Sequence, residues 1–183
     1  MGIRQETITT FLSGTVLVDD LKIYFISDGR NRIVHLTFAD DGHYRAMKML
    51  ASRNSKVVFS ADEGMGNLVE RAVGRYLEGN ARHLHLQTGT QLSGQATDFQ
   101  KQVWLQISRI AYGSTRTYGD IARSLGNFKL ARAVGQACHA NPLALLVPCH
   151  RVIGSDHLGG FAGGIAIKNR LLAVERKFSG AER

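Results

Sequence analysis

The strongest chemical signal in the chain is a thiol followed at once by an imidazole and a guanidinium, Cys149-His150-Arg151. A cation beside a cysteine lowers the thiol pKa and raises the thiolate fraction. These neighbours point to a nucleophile, against the common alternative of a buried inert thiol. Leu143 to Arg151 reads as an apolar strand that runs through Pro148 and delivers Cys149 at its end. Adjacent side chains of a strand face opposite ways, so His150 reaches the sulfur only if the chain turns, or else through a bridging water. Cys138, on the apolar side of a helix, reads as structural. Glu175, near the end of the last helix, has two readings: a solvated surface carboxylate, or the group that orients the His150 ring in a nucleophile-base-orienter chain. Two cysteines are too few for an all-cysteine zinc site, and His83-x-His85 reads as one face of a strand without further ligands, so no metal is expected. Gly159 to Gly164 imitates a phosphate-binding loop, but Ile165 stands where its lysine should be. The glycines are left as a loop that can bring backbone donors close to a flat ligand.

The elements that position these residues fall into two halves. In the first, Thr15 to Val18, Lys22 to Ser27 and Arg32 to Phe38 form an antiparallel meander, with further strands at Lys56 to Ser60 and His83 to Leu86. Tyr44 to Ala51 and Leu68 to Leu77 are helical, the latter from Leu68, Val69, Ala72, Val73 and Tyr76 at three- and four-residue spacing. The polar run Thr88 to Ala96 is the linker, which divides the chain into domains at 1–90 and 91–183. Beyond it, Thr97 caps a helix that ends near Gly113, and Thr117 caps Tyr118 to Leu125. A turn at Gly126-Asn127-Phe128 then leads to a helix from Lys129 to about His139, a helix-turn-helix outline. A last helix runs from Ile165 to about Lys177.

Of the net charge of +8, residues 1–90 carry +1 (11 basic, 10 acidic) and residues 91–183 carry +7 (12 basic, 5 acidic). A basic half with a helix-turn-helix suits a polyanion such as nucleic acid. The apolar run at Leu143 to Val147 is far short of a membrane span, no secretory signal is evident, and Glu6 stands where a myristoylation signal wants Ser or Thr, so a cytoplasmic protein is expected.

Residues 97 to 178 closely resemble the O6-alkylguanine-DNA alkyltransferases, also called methylated-DNA-protein-cysteine methyltransferases. Pro148-Cys149-His150-Arg151-Val152 carries the resemblance most specifically. Ala131-Arg132-Ala133-Val134-Gly135, Asn141-Pro142, Gly163-Gly164, Lys168, and Leu171-Leu172 with Glu175 support it in the family's order. The resemblance implies an α/β fold of the α+β kind: a small RNase H-like N-terminal domain, then a mostly helical C-terminal domain with the helix-turn-helix in the DNA minor groove. It implies irreversible, single-turnover transfer of the alkyl group from O6-alkylguanine, and from O4-alkylthymine, in duplex DNA to Cys149. His150 would be the water-relayed base, Glu175 would orient it, and Asn141 would buttress the turn. Arg132 would replace the flipped nucleotide, and Tyr118 would crowd a phosphate and offer its hydroxyl to guanine N3. Lys129, Ala131, Gln136 and Arg151 would add DNA contacts. Val152, Phe161, Ala162 and Gly163 would form the pocket, with the Val152 and Cys149 carbonyls and the Ala162 amide reading the guanine. No cofactor and a monomer are implied. Phe161-Ala162 stands where human-type members carry Tyr-Ser, and the loop from Val152 to Gly163 is one residue shorter. A cysteine hydrolase and a helix-turn-helix regulator are the rival readings.

Overall fold

The computed structural model of the protein describes residues 9–53, 56–90 and 95–180. The readings at Met1 to Glu6, and residues 91–94 of the linker, lie outside them. The described residues begin with a four-stranded sheet: β1 (Thr9–Val18), β2 (Leu21–Asp28), β3 (Ile33–Thr37) and β4 (Val57–Ala61), in the order β3-β2-β1-β4. The β1–β2 hairpin closes on Asp19-Asp20 with Val18 opposite Leu21, and Asp19 takes the positive φ of 53° that such a tight turn needs. β4 runs parallel to β1. Helix α1 (Asp40–Ala51) covers one face through Ala46 and Leu50, packed on Phe11, Ile26 and Val34. Helix α2 (Glu63–Leu77), capped by the Asp62 side chain on the Met65 amide, covers the other through Val69, Val73 and Tyr76. Burial on both faces explains why β2 is apolar almost throughout instead of alternating. Each helix begins four or five residues before the periodic apolar run that marks it, because the first turn holds Asp40, Asp41 or Glu63 near the positive end of the helix dipole.

The second half is mostly helical. Helix α3 (Asp98–Ser108) starts in a capping box between Thr97 and Gln100, and α4 (Tyr118–Ser124) in one between Thr117 and Asp120. Gly126, at φ 87°, turns the chain into a short 3-10 segment, Phe128–Leu130, which leads into α5 (Ala131–His139). Strands β5 (Arg116–Thr117) and β6 (Val152–Ile153) pair in parallel, and α6 (Ile165–Ser179) ends on Gly180 at φ 76°.

Three expectations are corrected. His83 to Leu86 forms no strand; it runs alongside the core with Leu84 buried, and only Thr88 bridges to Ile33 of β3. Helix α3 stops at Ser108 rather than near Gly113, so that Ile110 and Tyr112 can turn inward to separate apolar clusters. Leu143 to Val147 is a tight turn, not a strand: the Val147 amide donates to the Leu143 carbonyl at 2.8 Å, and Leu145 sits at φ 67°. Leu143, Ala144 and Leu145 are apolar because each is buried in the main core. That core also takes in Tyr112 and Leu171, and the segment 142–144 bonds to the edge of β3 through the Leu36 amide and carbonyl. The turn that precedes Cys149 is thus seated on the N-terminal sheet.

Candidate active site

Cys149 opens a 3-10 turn, Cys149–Arg151, so His150 and Arg151 are not splayed as they would be in a strand. All three side chains are buried. Asn141 ties this turn to the one before it: its Nδ2 donates to the Val147 carbonyl at 2.8 Å and reaches Cys149 Sγ at 3.3 Å, while its Oδ1 accepts from the Leu143 amide at 3.0 Å.

Glu175 is the hub. It has no exposed surface, which removes the reading of a solvated helix-end carboxylate. Its Oε1 accepts from Tyr76 Oη and lies 2.7 Å from His150 Nε2, its Oε2 accepts from the Gly113 amide at 2.8 Å, and Arg151 Nε bonds both oxygens at 3.0 Å. Burial works to raise the Glu175 carboxyl, but the contacts from His150, Tyr76 and Gly113 outweigh it and hold the group down at about 2. Burial pushes the His150 imidazole the other way, below its ordinary value. The charge therefore resides on Glu175 while the ring is neutral, with Nε2 facing the carboxylate and Nδ1 buried without a partner among the described residues.

Two expectations about the cations are corrected here. Arg151 is only 2% exposed, and its Nη1 is spent on the Ile110 carbonyl at 2.7 Å, so it cannot be a DNA contact. Nor do the His150 and Arg151 side chains lower the Cys149 thiol. Burial pushes the thiol up, and what partly offsets this is the Asn141 amide, then the Lys168 charge and the backbone amides of Cys149 and His150. Lys168 is fully buried, its Nζ donating to the carbonyls of Val152 at 2.6 Å and Gly160 at 3.3 Å. The Val152 carbonyl keeps one lone pair for another donor.

A cavity of about 330 Å³ opens over Cys149, lined by Ala131, Arg132, Gly135 and Gln136 of α5, by Tyr118, and by Gly159, Gly160, Phe161 and Ala162. Arg132 and Gln136 are exposed, as is Lys129 just ahead of α5. The Tyr118 phenol is raised by burial, so it holds its proton. Gly159 has φ 70°, and a side chain there would begin 2.5 Å from the Tyr118 hydroxyl, which is why the loop can close over that ring only with glycine. Gly163, expected in the pocket, instead packs against Phe38, where an added Cβ would stand 2.6 Å from the Phe38 Cβ. Cys138, expected in the core, is half-buried and lines the same cavity as Cys149, its thiol pushed up to about 12 by burial.

Residues 98–177 match the model of the DNA-binding domain of 6-O-methylguanine DNA methyltransferase. Among curated relatives, a methylated-DNA--protein-cysteine methyltransferase of Methanosarcina acetivorans is 53% identical over 85 residues, 46% of this chain and 54% of its own length. One from Mycolicibacterium paratuberculosis is 44% identical over 110 residues, 60% of this chain and 64% of its own. The chain thus spans little more than half the length of several curated relatives that it matches, a mimivirus protein at 60% included. A crystal structure of a variant of Mycobacterium tuberculosis O6-methylguanine methyltransferase is 30% identical, with a TM-score of 0.73 over 92% of this chain and 93% of that one. The chain belongs to the O6-methylguanine-DNA methyltransferase family. A Mycobacterium tuberculosis structure in complex with DNA also matches, at 29% identity and a TM-score of 0.71 over 92% of this chain and 94% of that one.

The family match takes in every residue that touches Glu175 except Tyr76, which comes from α2. Sequence reasoning saw Tyr76 only as one more apolar-face residue of a helix, and nothing local marks its hydroxyl for a partner 99 residues away. Periodicity reads the apolar face of α6 as Ile167, Leu171, Leu172 and Val174, whereas the buried stripe is Lys168, Leu171, Leu172 and Glu175, so Lys168 is marked by the family resemblance alone.

Proposed function

We propose that the protein repairs duplex DNA by direct reversal, its Cys149 sulfur taking the alkyl group from O6-alkylguanine, and from O4-alkylthymine, once and irreversibly. The observation that carries this reading is that the buried thiol and the exposed Arg132 line one cavity, the sulfur at its floor and the guanidinium on α5 at its rim. An O6 alkyl group lies within the base stack, so the nucleotide must leave the duplex, which costs a few kcal/mol. Arg132 offsets that cost by filling the gap, with Lys129, Ala131 and Gln136 beside it in the minor groove. The bond from Sγ to the alkyl carbon forms as the carbon–O6 bond breaks, and the electron pair leaves on O6. The thiol proton passes through a water to His150 Nδ1, the ring held by Glu175. Tyr118 supplies a proton towards guanine N3, and the Ala162 amide steadies O6. Cavity volume, a protonated Tyr118 and the free Nδ1 all support this assignment.

A thioether resists hydrolysis where a thioester does not, so the protein is consumed and needs no cofactor. We infer that residues 91–183 act on the DNA as a monomer and that residues 1–90 support them. No helix among the described residues is long and apolar enough to cross a membrane, and we place the action in the cytoplasm. The test is stoichiometry. With excess O6-methylguanine duplex, restored guanine should rise to one equivalent per chain and stop. Continued turnover would favour a cysteine hydrolase.

A further inference from the structure

The N-terminal half reaches His150 and Glu175 through a side chain of α2. Tyr76, on the inner face of α2 and 1% exposed, places its hydroxyl between two groups of the other half: it donates to Glu175 Oε1, and its oxygen lies 3.2 Å from His150 Nε2. A phenol has a single proton, and here the carboxylate takes it. The oxygen therefore presents only lone pairs to Nε2, as Glu175 Oε1 does from 2.7 Å. Two acceptors facing one ring nitrogen require that nitrogen to carry the proton. The bare nitrogen is then Nδ1, which has no hydrogen-bond partner among the described residues.

We propose that Tyr76 is a positioning residue for alkyl transfer: it locks the His150 ring and its Nε2–H tautomer, so that the N-terminal half takes part in making the thiolate. Its own proton stays in place, because burial and the Glu175 charge push the phenol well above its ordinary value. The ring is itself fixed, standing edge-on to Tyr112 with centroids 5.6 Å apart and an interplanar angle of 82°. Arg151 lies over the Tyr112 ring, 5.7 Å from its centroid. Without the hydroxyl, Glu175 loses a donor and Nε2 loses one of two acceptors, and the imidazole can tilt or turn over. This inference rests on the His150 relay proposed above, and its test separates the two.

The experiment is ¹⁵N NMR of labelled histidine in the unreacted full chain, for wild type and Tyr76→Phe, together with the rate of reaction with free O6-benzylguanine against pH. Arg151, Lys168, Tyr112, Cys149 and, through Tyr112, Arg82 are the other ionisable groups around the site, and the substitution leaves all of them in place. Wild type should show His150 as the Nε2–H tautomer. Tyr76→Phe should keep the circular dichroism of the wild type, shift or broaden the His150 signals, and react about tenfold more slowly, the scale on which groups that orient a functional histidine act. An Nδ1–H tautomer in the wild type overturns the proposal without recourse to any variant. So does a wild-type His150 spectrum in Tyr76→Phe. A changed spectrum with an unchanged rate upholds the positioning and removes the His150 relay instead.

Discussion

At the sulfur, opposing effects meet: burial raises the thiol, while Asn141, Lys168 and two backbone amides draw it down without prevailing. The resting thiol is therefore protonated at neutral pH, and reactivity depends on where its proton can go. Glu175→Gln tests that route. A neutral amide no longer steadies the imidazolium, so the rate profile with free O6-benzylguanine should move to higher pH. Superimposable profiles would take Glu175 out of thiol activation. The same substitution leaves Arg151 buried without its counter-ion and should lower the unfolding free energy by about 3 kcal/mol, measured by urea denaturation. A depressed carboxyl contributes stability that is present above its unfolded value of 4.5 and lost as pH falls towards about 2. Glu175→Gln should lack that acid limb. Cys138 shares the cavity, its thiol pushed up to about 12 by burial, but the Asn141 amide and the turn carrying His150 serve Cys149. Cys138→Ala should retain stoichiometric transfer, and loss of transfer in a folded variant would mean that its sulfur takes part.

Among the elements, α5 carries the DNA side of the account. Arg132 is exposed at the cavity rim and touches none of the residues around Glu175, so it should act on flipping alone. Arg132→Ala should slow repair of duplex DNA substantially and hardly change the reaction with free O6-benzylguanine, which has no stack to leave. Equal losses on both substrates would place Arg132 in the pocket or the fold. How far such elements can be read from sequence depends on the range of the forces that make them. Thr97 and Thr117 mark their helices because a cap is satisfied within three residues, whereas the α6 stripe is only half legible, because its Lys168 and Glu175 are buried by distant partners and not by their own polarity. The Leu143 to Val147 turn is not legible as a turn. Its residues are apolar because the distant β3 and the main core bury them, and an apolar run of five reads equally as a strand. The thiol's surroundings were misjudged for a similar reason, since adjacency in sequence says nothing of Arg151 turning away to Glu175 and Ile110.

Over the whole molecule, the two halves share their largest core, and the Cys149 turn rests on the edge of β3. At this junction lies His35, 6% exposed, with both ring nitrogens outside hydrogen-bond geometry. Burial, reinforced by His43, lowers it to about 4 against the pull of the Pro142 carbonyl. A histidine lowered in the folded state takes up its proton first in the unfolded chain, so stability should fall as pH drops from about 6.5 to about 4, by on the order of 3 kcal/mol from this residue. His35→Phe should flatten that part of the curve of unfolding free energy against pH, and an unchanged curve would assign the loss elsewhere. The central claim, that this chain receives the alkyl group on Cys149, has one direct test. The protein is incubated with duplex DNA containing O6-methylguanine, digested, and its peptides are weighed by mass spectrometry. The account predicts one added methyl group, on the peptide holding Cys149 and absent from that holding Cys138, with the guanine restored. Restored guanine with an unmodified Cys149 peptide, or a methyl group on another residue, would contradict it.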